Sequence, residues 1–355
     1  MNDTHRFPYK WELKTANFTK DKGKAFSCFA CGGGSTMGYK LAGFDVIGCN
    51  EIDPKMMAAY VANHKPKYSY LEPIQTFKLR EDLPAELYDL DILDGSPPCS
   101  SFSMAGNREK DWGKQKKFRE GQAEQVLDNL FFDFIDLAKK IQPKIVVAEN
   151  VKGLLLGNAK EYVRRIYREF DSAGYYCQHW LLDASKMGVP QRRERVFFIA
   201  LRKDLAGQFL QQMDMFTVAP KLDLVFNEKG ITYGEIKESV GKDLTNTQLK
   251  TWQSRKDSDN DFGDTNKRLT GNESDFNAYY AKPKKILNTI AASAKYIDYQ
   301  TPSHLSDNSI IKSQTYPIDY DFLNNKPLYI CGMSVPPVMT AQIATEIYSQ
   351  WLTKI

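Results

Sequence analysis

Apolar and polar positions alternate in blocks between residues 25 and 201. Ala25–Phe29 is a short apolar run, followed by a glycine-rich turn and a helical segment that reaches Leu41. Phe44–Cys49 is a second apolar run. The Asp53-Pro54 pair after it is a helix start, because proline suits the first helical position, where no backbone donor is needed. Leu90–Leu93 is strand-like and leads into Gly95-Ser96-Pro97-Pro98-Cys99. Val126, Leu130, Phe131, Phe134, Ile135 and Ala138 repeat at helical spacing, and Ile145–Ala148 is another buried strand. Tyr162, Val163, Ile166, Tyr167 and Phe170 mark a second amphipathic helix ended by Gly174, and Arg195–Leu201 is a further strand. Strands separated by helices of about 10–15 residues predict an α/β fold with a doubly wound, mostly parallel sheet.

Outside this region the pattern changes. The first 24 residues are of mixed charge and show no periodicity, so they are expected to form an N-terminal arm. After Asp204 the alternation dissolves, and residues 205–285 are polar, rich in Asp, Asn, Lys and Gly; a second, smaller domain is expected there. Met339, Ile343, Ile347 and Trp351 recur every four residues, which predicts a helix whose apolar stripe is covered by the first domain. The expected division is therefore an arm (1–24), a large domain (25–204), a small domain with a bracing segment (205–330) and a returning helix (331–355).

Length and composition narrow the function classes. A chain of 355 residues, 42% hydrophobic and 26% charged, has ample material for a core and, at roughly 150 residues per domain, for two domains. No apolar stretch approaches the roughly 18 residues of a spanning helix, so no membrane association is expected. Met1–Arg6 lacks the apolar core of an export signal, which points to the cytoplasm. Six cysteines are then reduced thiols. Cys28-x-x-Cys31 has no second pair, and His5, His64, His179 and His304 are scattered, so no metal is expected where zinc would require four ligands. A net charge of +4 permits a polyanionic partner without requiring one.

Four segments carry candidate chemistry. Cys31-Gly32-Gly33-Gly34 follows the first strand and opens a helix, where glycines let a backbone approach a ligand closely. Met37 stands where a dinucleotide fingerprint starting at Gly32 requires glycine. Glu51, at the end of the second strand, suits the two hydroxyls of a ribose. Gly95–Ser103 leaves a strand at the edge where ligands of α/β sheets bind, and its two prolines hold Cys99, the best unassisted nucleophile among side chains. Glu149-Asn150-Val151 leaves another strand on the same edge and can hydrogen-bond a ring nitrogen. In Gln191-Arg192-Arg193-Glu194-Arg195, Arg193 and Arg195 are expected to share one face of an extended segment. Arg108, Lys110, Lys114, Lys116, Lys117 and Arg119, with Trp112 and Phe118, suggest a basic lid over a polyanion.

Taken together these residues resemble a DNA (cytosine-5)-methyltransferase of the bacterial or phage modification type, over residues 25–203 and again over 283–352. Phe29-Ala30 with Gly33-Gly34 resembles the first cofactor loop, Glu51-Ile52 the ribose and adenine contacts, and Leu130-Phe131-Phe132-Asp133 the helix bordering the cofactor. Pro98-Cys99 is similar to the nucleophile motif, Glu149-Asn150-Val151 to the motif that meets the target cytosine, and Gln191, Arg193 and Arg195 to a Q-x-R-x-R motif. Gly332, Ser334 and Val335 with Pro336-Pro337 resemble the closing motif. Three positions depart: Cys31 stands for the first glycine of the cofactor loop, Pro73 for an acidic residue and Met333 for an asparagine.

The resemblance implies the S-adenosylmethionine-dependent methyltransferase fold, S-adenosylmethionine as cofactor, and a small DNA-recognition domain. Cys99, Glu149, Arg193 and Arg195 would be catalytic, with Arg193 orienting Glu149 or the base and Arg195 supporting that arrangement. Phe29, Gly33, Gly34, Glu51, Ile52, Leu130, Ser334 and Val335 would hold the cofactor, and Pro98, Val151 and Gln191 the substrate. The partners implied are double-stranded DNA and a cognate restriction endonuclease, with the enzyme a monomer. Two alternatives remain on the same fold, an RNA (tRNA) cytosine-5 methyltransferase and a catalytically silent DNA-binding regulator. A nicotinamide dehydrogenase would have no use for Cys99.

Overall fold

The computed structural model describes residues 5–98, 115–116, 125–126, 129–156, 159–213, 218–272, 274 and 277–355. They divide into two units. The larger comprises Asn17–Asp183, Glu194–Val225 and Thr340–Ile355; the smaller comprises Met1–Ala16, Ala184–Arg193 and Phe226–Met339.

In the larger unit β1 (Lys24–Cys28) passes through the glycine loop into α1 (Gly34–Leu41), and β2 (Asp45–Glu51) leads to α2 (Pro54–His64). β3 (Tyr68–Leu71), α3 (Ile74–Phe77) and β4 (Ile92–Gly95) follow. β5 (Gln115–Lys116) and β6 (Gln125–Val126) form a short antiparallel ladder. α4 (Leu130–Ile141), β7 (Ile145–Val151), α5 (Lys160–Ser172), β8 (Tyr175–Asp183) and β9 (Glu194–Arg202) come next, and β10 (Leu210–Gln212) pairs with β11 (Val218–Pro220). The main sheet has the order β3-β2-β1-β4-β7-β9-β8.

The expected mostly parallel sheet is observed. β3, β2, β1, β4 and β7 run parallel, while β9 is antiparallel to both β7 and β8. A parallel neighbour needs a long crossover, and the β8–β9 connection of residues 184–193 contains no α-helix, so the chain simply reverses. β1, β4 and β7 are buried almost throughout because helices cover both faces, as parallel sheets require. α4 buries Leu130, Phe131, Phe134, Ile135 and Leu137, and the Phe131 ring meets Phe198 edge-on at 5.5 Å. Val126, expected on this helix, lies instead in β6; four-residue spacing alone does not distinguish the two. β3 and β8 are the strands that the apolar pattern does not announce. Both are sheet edges, and only part of each is buried.

The smaller unit contains α6 (Tyr233–Ile236), β12 (Val240–Asp243), α7 (Asn246–Gln253), α8 (Phe262–Thr270), β13 (Ala278–Ala281), β14 (Lys295–Asp298), β15 (Ser303–Leu305), α9 (Asp307–Ser313) and α10 (Pro327–Met333). Its sheet has the order β12-β15-β14-β13. Phe262, Ala278, Tyr280 and Ile297 form a core patch, joined by half-buried Trp252 and Tyr299. The N-terminal residues, expected as an unpacked arm, are partly built into this unit. Trp11 is buried and its Nε1 donates to the Thr315 carbonyl at 2.9 Å, while the Leu13 and Lys14 amides donate to the Asp319 carboxylate. A single aromatic anchor leaves no periodicity to read.

α11 (Pro337–Gln350) begins in the smaller unit and from Thr340 belongs to the larger. There Tyr348 meets Phe44 edge-on, and Trp351, with no exposed surface, donates from Nε1 to the Lys221 carbonyl at 2.7 Å. No described helix is long and apolar enough to cross a membrane. Trp351→Ala empties the largest buried side chain and strands a carbonyl. It is expected to lower stability by about 3–5 kcal/mol, read as a lower midpoint of urea unfolding.

Candidate active site

Register in the parallel sheet decides which loops become neighbours. Cys28 pairs with Asn50 on one side and Gly95 on the other, and Gly95 pairs with Ala148. The carboxyl ends of β2, β1, β4 and β7 therefore lie along one edge, where ligands of such sheets bind. This brings together the Phe29–Gly33 loop, Glu51, Ser96-Pro97-Pro98 and Glu149-Asn150.

The loop after β1 is wound in the left-handed region. Phe29 (φ 53°), Cys31 (φ 48°) and Gly33 (φ 77°) all lie there, although only glycine enters it freely. An added Cβ at Gly33 would fall 2.2 Å from Nε2 of buried His64. Gly34 opens α1. Hydrogen bonds hold the loop in place. The Gly33 amide donates to the Ala30 carbonyl at 2.8 Å, and the Cys31 amide to Glu51 Oε2 at 2.7 Å.

Glu51 is the adjoining anchor. Its Oε1 accepts from the Ile52 and Asp53 amides, both at 2.8 Å. Burial nevertheless pushes this carboxyl above its ordinary range, against the pull of those three amides. Asp53 caps α2 through the Lys55 and Met56 amides, as the Asp-Pro pair predicts. Around Glu51, Phe29, Cys31 and Ile52 are only half-buried, so a carboxylate is rimmed by apolar and polarisable groups. Leu130 has no exposed surface and packs in the core.

On the next strands, Glu149 is 9% exposed and pairs with Arg195, whose Nε stands 2.9 Å from Glu149 Oε1. Burial lowers the guanidinium from its usual range and the carboxylate opposes this. Asn150 Nδ2 donates to the Pro97 carbonyl at 3.2 Å, and its Oδ1 accepts from the Val151 amide at 2.9 Å. One side chain thus ties the β7 exit to the loop leaving β4. Pro98 is half-buried. Cys99 lies outside the described residues, as does the basic segment 108–119 apart from the backbone of 115–116.

Arg193, expected to orient Glu149 or the base, instead meets backbone carbonyls. It is 2% exposed and belongs to the smaller unit, where it donates to the carbonyls of Ile290, Gly332 and Ser334 at 2.9, 3.0 and 2.8 Å. β9 begins only at Glu194, so strand alternation does not extend to Arg193 and the two arginines take different partners. Gln191, expected on the substrate, has no exposed surface. It donates to the Ser313 carbonyl and to Gln314 and accepts from the Ile290 amide. Ser334 donates to the Ile330 carbonyl and accepts from the Tyr316 hydroxyl; Val335 is buried. These residues brace the smaller unit internally.

Two residues to which the sequence assigned no role at the site belong with the edge. Asn150 is one. Asp94 is the other, a buried carboxyl on β4 that accepts from three hydroxyls. An acidic residue inside Ile92-Leu93-Asp94-Gly95 is the signal that would have found it. Among the described residues, no group of three His, Cys, Asp or Glu side chains is arranged to hold a metal.

The sequence matches the family described as C-5 cytosine-specific DNA methylase over residues 23–349. The chain belongs to this family. It is 39% identical over 182 residues to the Type II methyltransferase M.FnuDI of Fusobacterium nucleatum, covering 51% of this chain and 48% of that protein. It is 36% identical over 187 residues to M.NgoPII of Neisseria gonorrhoeae, covering 52% and 50%. The chain thus spans about half the length of these relatives. A match of 27% to M1.HphI of Haemophilus parahaemolyticus extends over 90% of the chain and 85% of that protein. Among solved structures, a DNA modification methyltransferase encoded within an E. coli prophage superposes with a TM-score of 0.63 at 18% identity, covering 92% of this chain and 99% of that one. Spodoptera frugiperda DNMT2 gives 0.60 at 16%, with the same coverage. At these identities the structures share the fold.

Within this methylase family resemblance, Cys31 occupies the place of a loop glycine, and its left-handed φ explains why glycine suits the position. Cys31→Gly is expected to stay within about 1 kcal/mol of the parent, because relief of the left-handed strain offsets the lost chain entropy. Cys31→Val, branched at Cβ, is expected to cost about 1–3 kcal/mol; thermal unfolding of both variants distinguishes the two effects. Arg195→Ala leaves Glu149 without its cation and is expected to destabilise by about 3 kcal/mol, with Arg195→Lys recovering part of the loss, as measured by chemical denaturation.

Proposed function

We propose that this chain transfers a methyl group to C5 of cytosine in double-stranded DNA. The reading also makes it a sequence-specific modification methylase of the restriction-modification kind, acting as a cytoplasmic monomer beside a nuclease of the same site. The observation that carries it is the pinned edge. Glu149 is held by Arg195, and the loop that leads to Cys99 is held by Asn150 through the Pro97 carbonyl.

C5 of cytosine is a poor nucleophile until addition at C6 makes it the carbon of an enamine. In our reading the Cys99 thiolate adds to C6, forming the S–C6 bond and placing the electron pair on C5. Glu149 holds the exocyclic amine and the N3 proton, and Arg195 fixes its orientation. After C5 is alkylated, its proton passes to a water molecule, the C5–H electron pair re-forms the C5–C6 double bond, and the S–C6 bond breaks to release Cys99 as thiolate. The stacked base has to leave the duplex, at a cost of a few kcal/mol. The basic segment after Cys99 would offset that cost through backbone contacts.

S-adenosylmethionine, when bound, would supply an electrophilic methyl on a sulfonium, whose S–CH3 bond breaks to leave the neutral thioether S-adenosylhomocysteine. The residues present fit it. Glu51, at the end of β2, keeps acceptor capacity on Oε2 beyond the Cys31 amide and suits a ribose diol. The half-buried Phe29 and Ile52 suit the flat faces of an adenine, and the wound loop from Phe29 to Gly34 lets the backbone come close.

The deciding experiment follows isotope-labelled methyl from S-adenosylmethionine into DNA and into RNA. Label is expected in DNA only, and Cys99→Ser is expected to reduce the rate by more than about a thousandfold. A duplex carrying 5-fluorocytosine at the methylated position is expected to become linked to residue 99. Label in RNA alone would establish the RNA enzyme, and sequence-specific retention of DNA without any label would establish the silent regulator.

A further inference from the structure

Asp94 sits where three elements of the larger unit meet, and no step of the chemistry above uses it. It is 4% exposed. Its backbone pairs with Ser27 on β1 and with Val147 on β7. Its Oδ2 accepts from Ser27 Oγ at 2.9 Å and from Ser35 Oγ at 2.7 Å, and its Oδ1 accepts from the Tyr39 hydroxyl at 3.1 Å. Ser35 and Tyr39 lie one turn apart on α1, the helix that the glycine loop opens. Four residues after Asp94 comes Pro98, and then Cys99. A single carboxylate therefore fastens the start of the cofactor loop's helix to the strand that delivers the nucleophile.

The donors are all neutral hydroxyls, and among the described residues no cation pairs with Asp94. The titratable groups facing it are Cys28 on β1, Tyr39 on α1, Tyr60 on α2 and Glu149 on β7, and each of them bears negative charge or none. Burial, aided by Glu149, pushes the Asp94 carboxyl up to about 6 against the three hydroxyl bonds. Protonation puts a hydrogen on one of the two carboxyl oxygens, Oδ2 that takes the Ser35 bond or Oδ1 that takes the Tyr39 bond, and removes the charge that strengthens both, so the fastening depends on the charge.

We propose that Asp94 is a positioning residue whose ionised carboxylate holds α1 and the glycine loop in the arrangement that binds the cofactor, beside the strand leading to Cys99. This rests on the methyltransferase reading above and extends it to a residue that touches neither substrate nor cofactor. Cofactor affinity is then highest when Asp94 is ionised, and it declines as pH falls through its titration. Replacing one hydroxyl donor removes support for the ionised form, so the decline moves to higher pH.

The test is calorimetric binding of S-adenosylhomocysteine to the full chain from pH 5.5 to 8, for wild type, Asp94→Asn and Tyr39→Phe, with circular dichroism confirming that each is folded. Wild type is expected to lose affinity by up to about tenfold per pH unit below the Asp94 titration, as one linked proton allows. Asp94→Asn is expected to bind about tenfold more weakly at pH 7.5 and to lose the component of pH dependence near 6, leaving any that Glu51 contributes. Tyr39→Phe is expected to show its acid midpoint at higher pH than wild type. Wild-type affinity and midpoint in both variants would overturn the positioning role. Should Asp94→Asn fail to fold, an unmoved midpoint in Tyr39→Phe alone would overturn it. If wild type binds no S-adenosylhomocysteine at any pH, it is the methyltransferase reading that falls.

Discussion

Side-by-side parallel pairing of β2, β1, β4 and β7 is the constraint on which the candidate site depends. Parallel hydrogen bonding forces successive strands to finish on one edge, so loops separated by up to about a hundred residues become neighbours without any direct selection for contact between them. Burial of both faces sets the register, since a slip of one residue would exchange the side chains that the two covering layers pack against. At the carboxyl ends the chain stays buried but turns polar. There the polar residues collect: Glu51, Asp94, Glu149 and Asn150. The same sheet that excludes water from its middle thus organises water-seeking groups at its margin.

Those groups are restrained by one another as well as by the sheet. Glu51 gathers three backbone amides from two loops, Asn150 bridges from β7 to Pro97, and Arg195 fixes Glu149 from the neighbouring antiparallel strand. The reversal of β9 matters here. An arginine near the beginning of an antiparallel strand lies beside the end of its partner, and for that reason Arg195, paired opposite Val151, reaches a carboxylate at the β7 exit. A parallel β9 would have put its own exit there and left Glu149 without this cation.

Much of this was readable from periodicity. The central strands and the helices that cover them are long, apolar and regularly spaced, and Asp53-Pro54 marked the start of α2. The edge strands β3 and β8 were not readable, because partial burial weakens their pattern. Trp11 escaped notice because one buried aromatic has no period. The placement of Arg193 and Gln191 depends on carbonyls 97, 122 and 141 residues away, at Ile290, Ser313 and Ser334, which local pattern cannot reveal. Asp94 was visible as an acidic residue in an apolar strand, but its meaning depends on hydroxyls contributed by two other elements.

The order of segments along the chain has a consequence for how such a protein changes over time. Phe226–Met339 is inserted between Val225 and Thr340, both part of the larger unit, whose Trp351 closes onto Lys221. The entropy of closing a long loop rises only with the logarithm of its length, by about 0.6 kcal/mol per doubling. The inserted stretch can therefore lengthen, shorten or be exchanged at small cost to the sheet, provided that its two ends still come together. A chain built in this way can vary along the inserted stretch while the parallel sheet and its polar edge stay as they are.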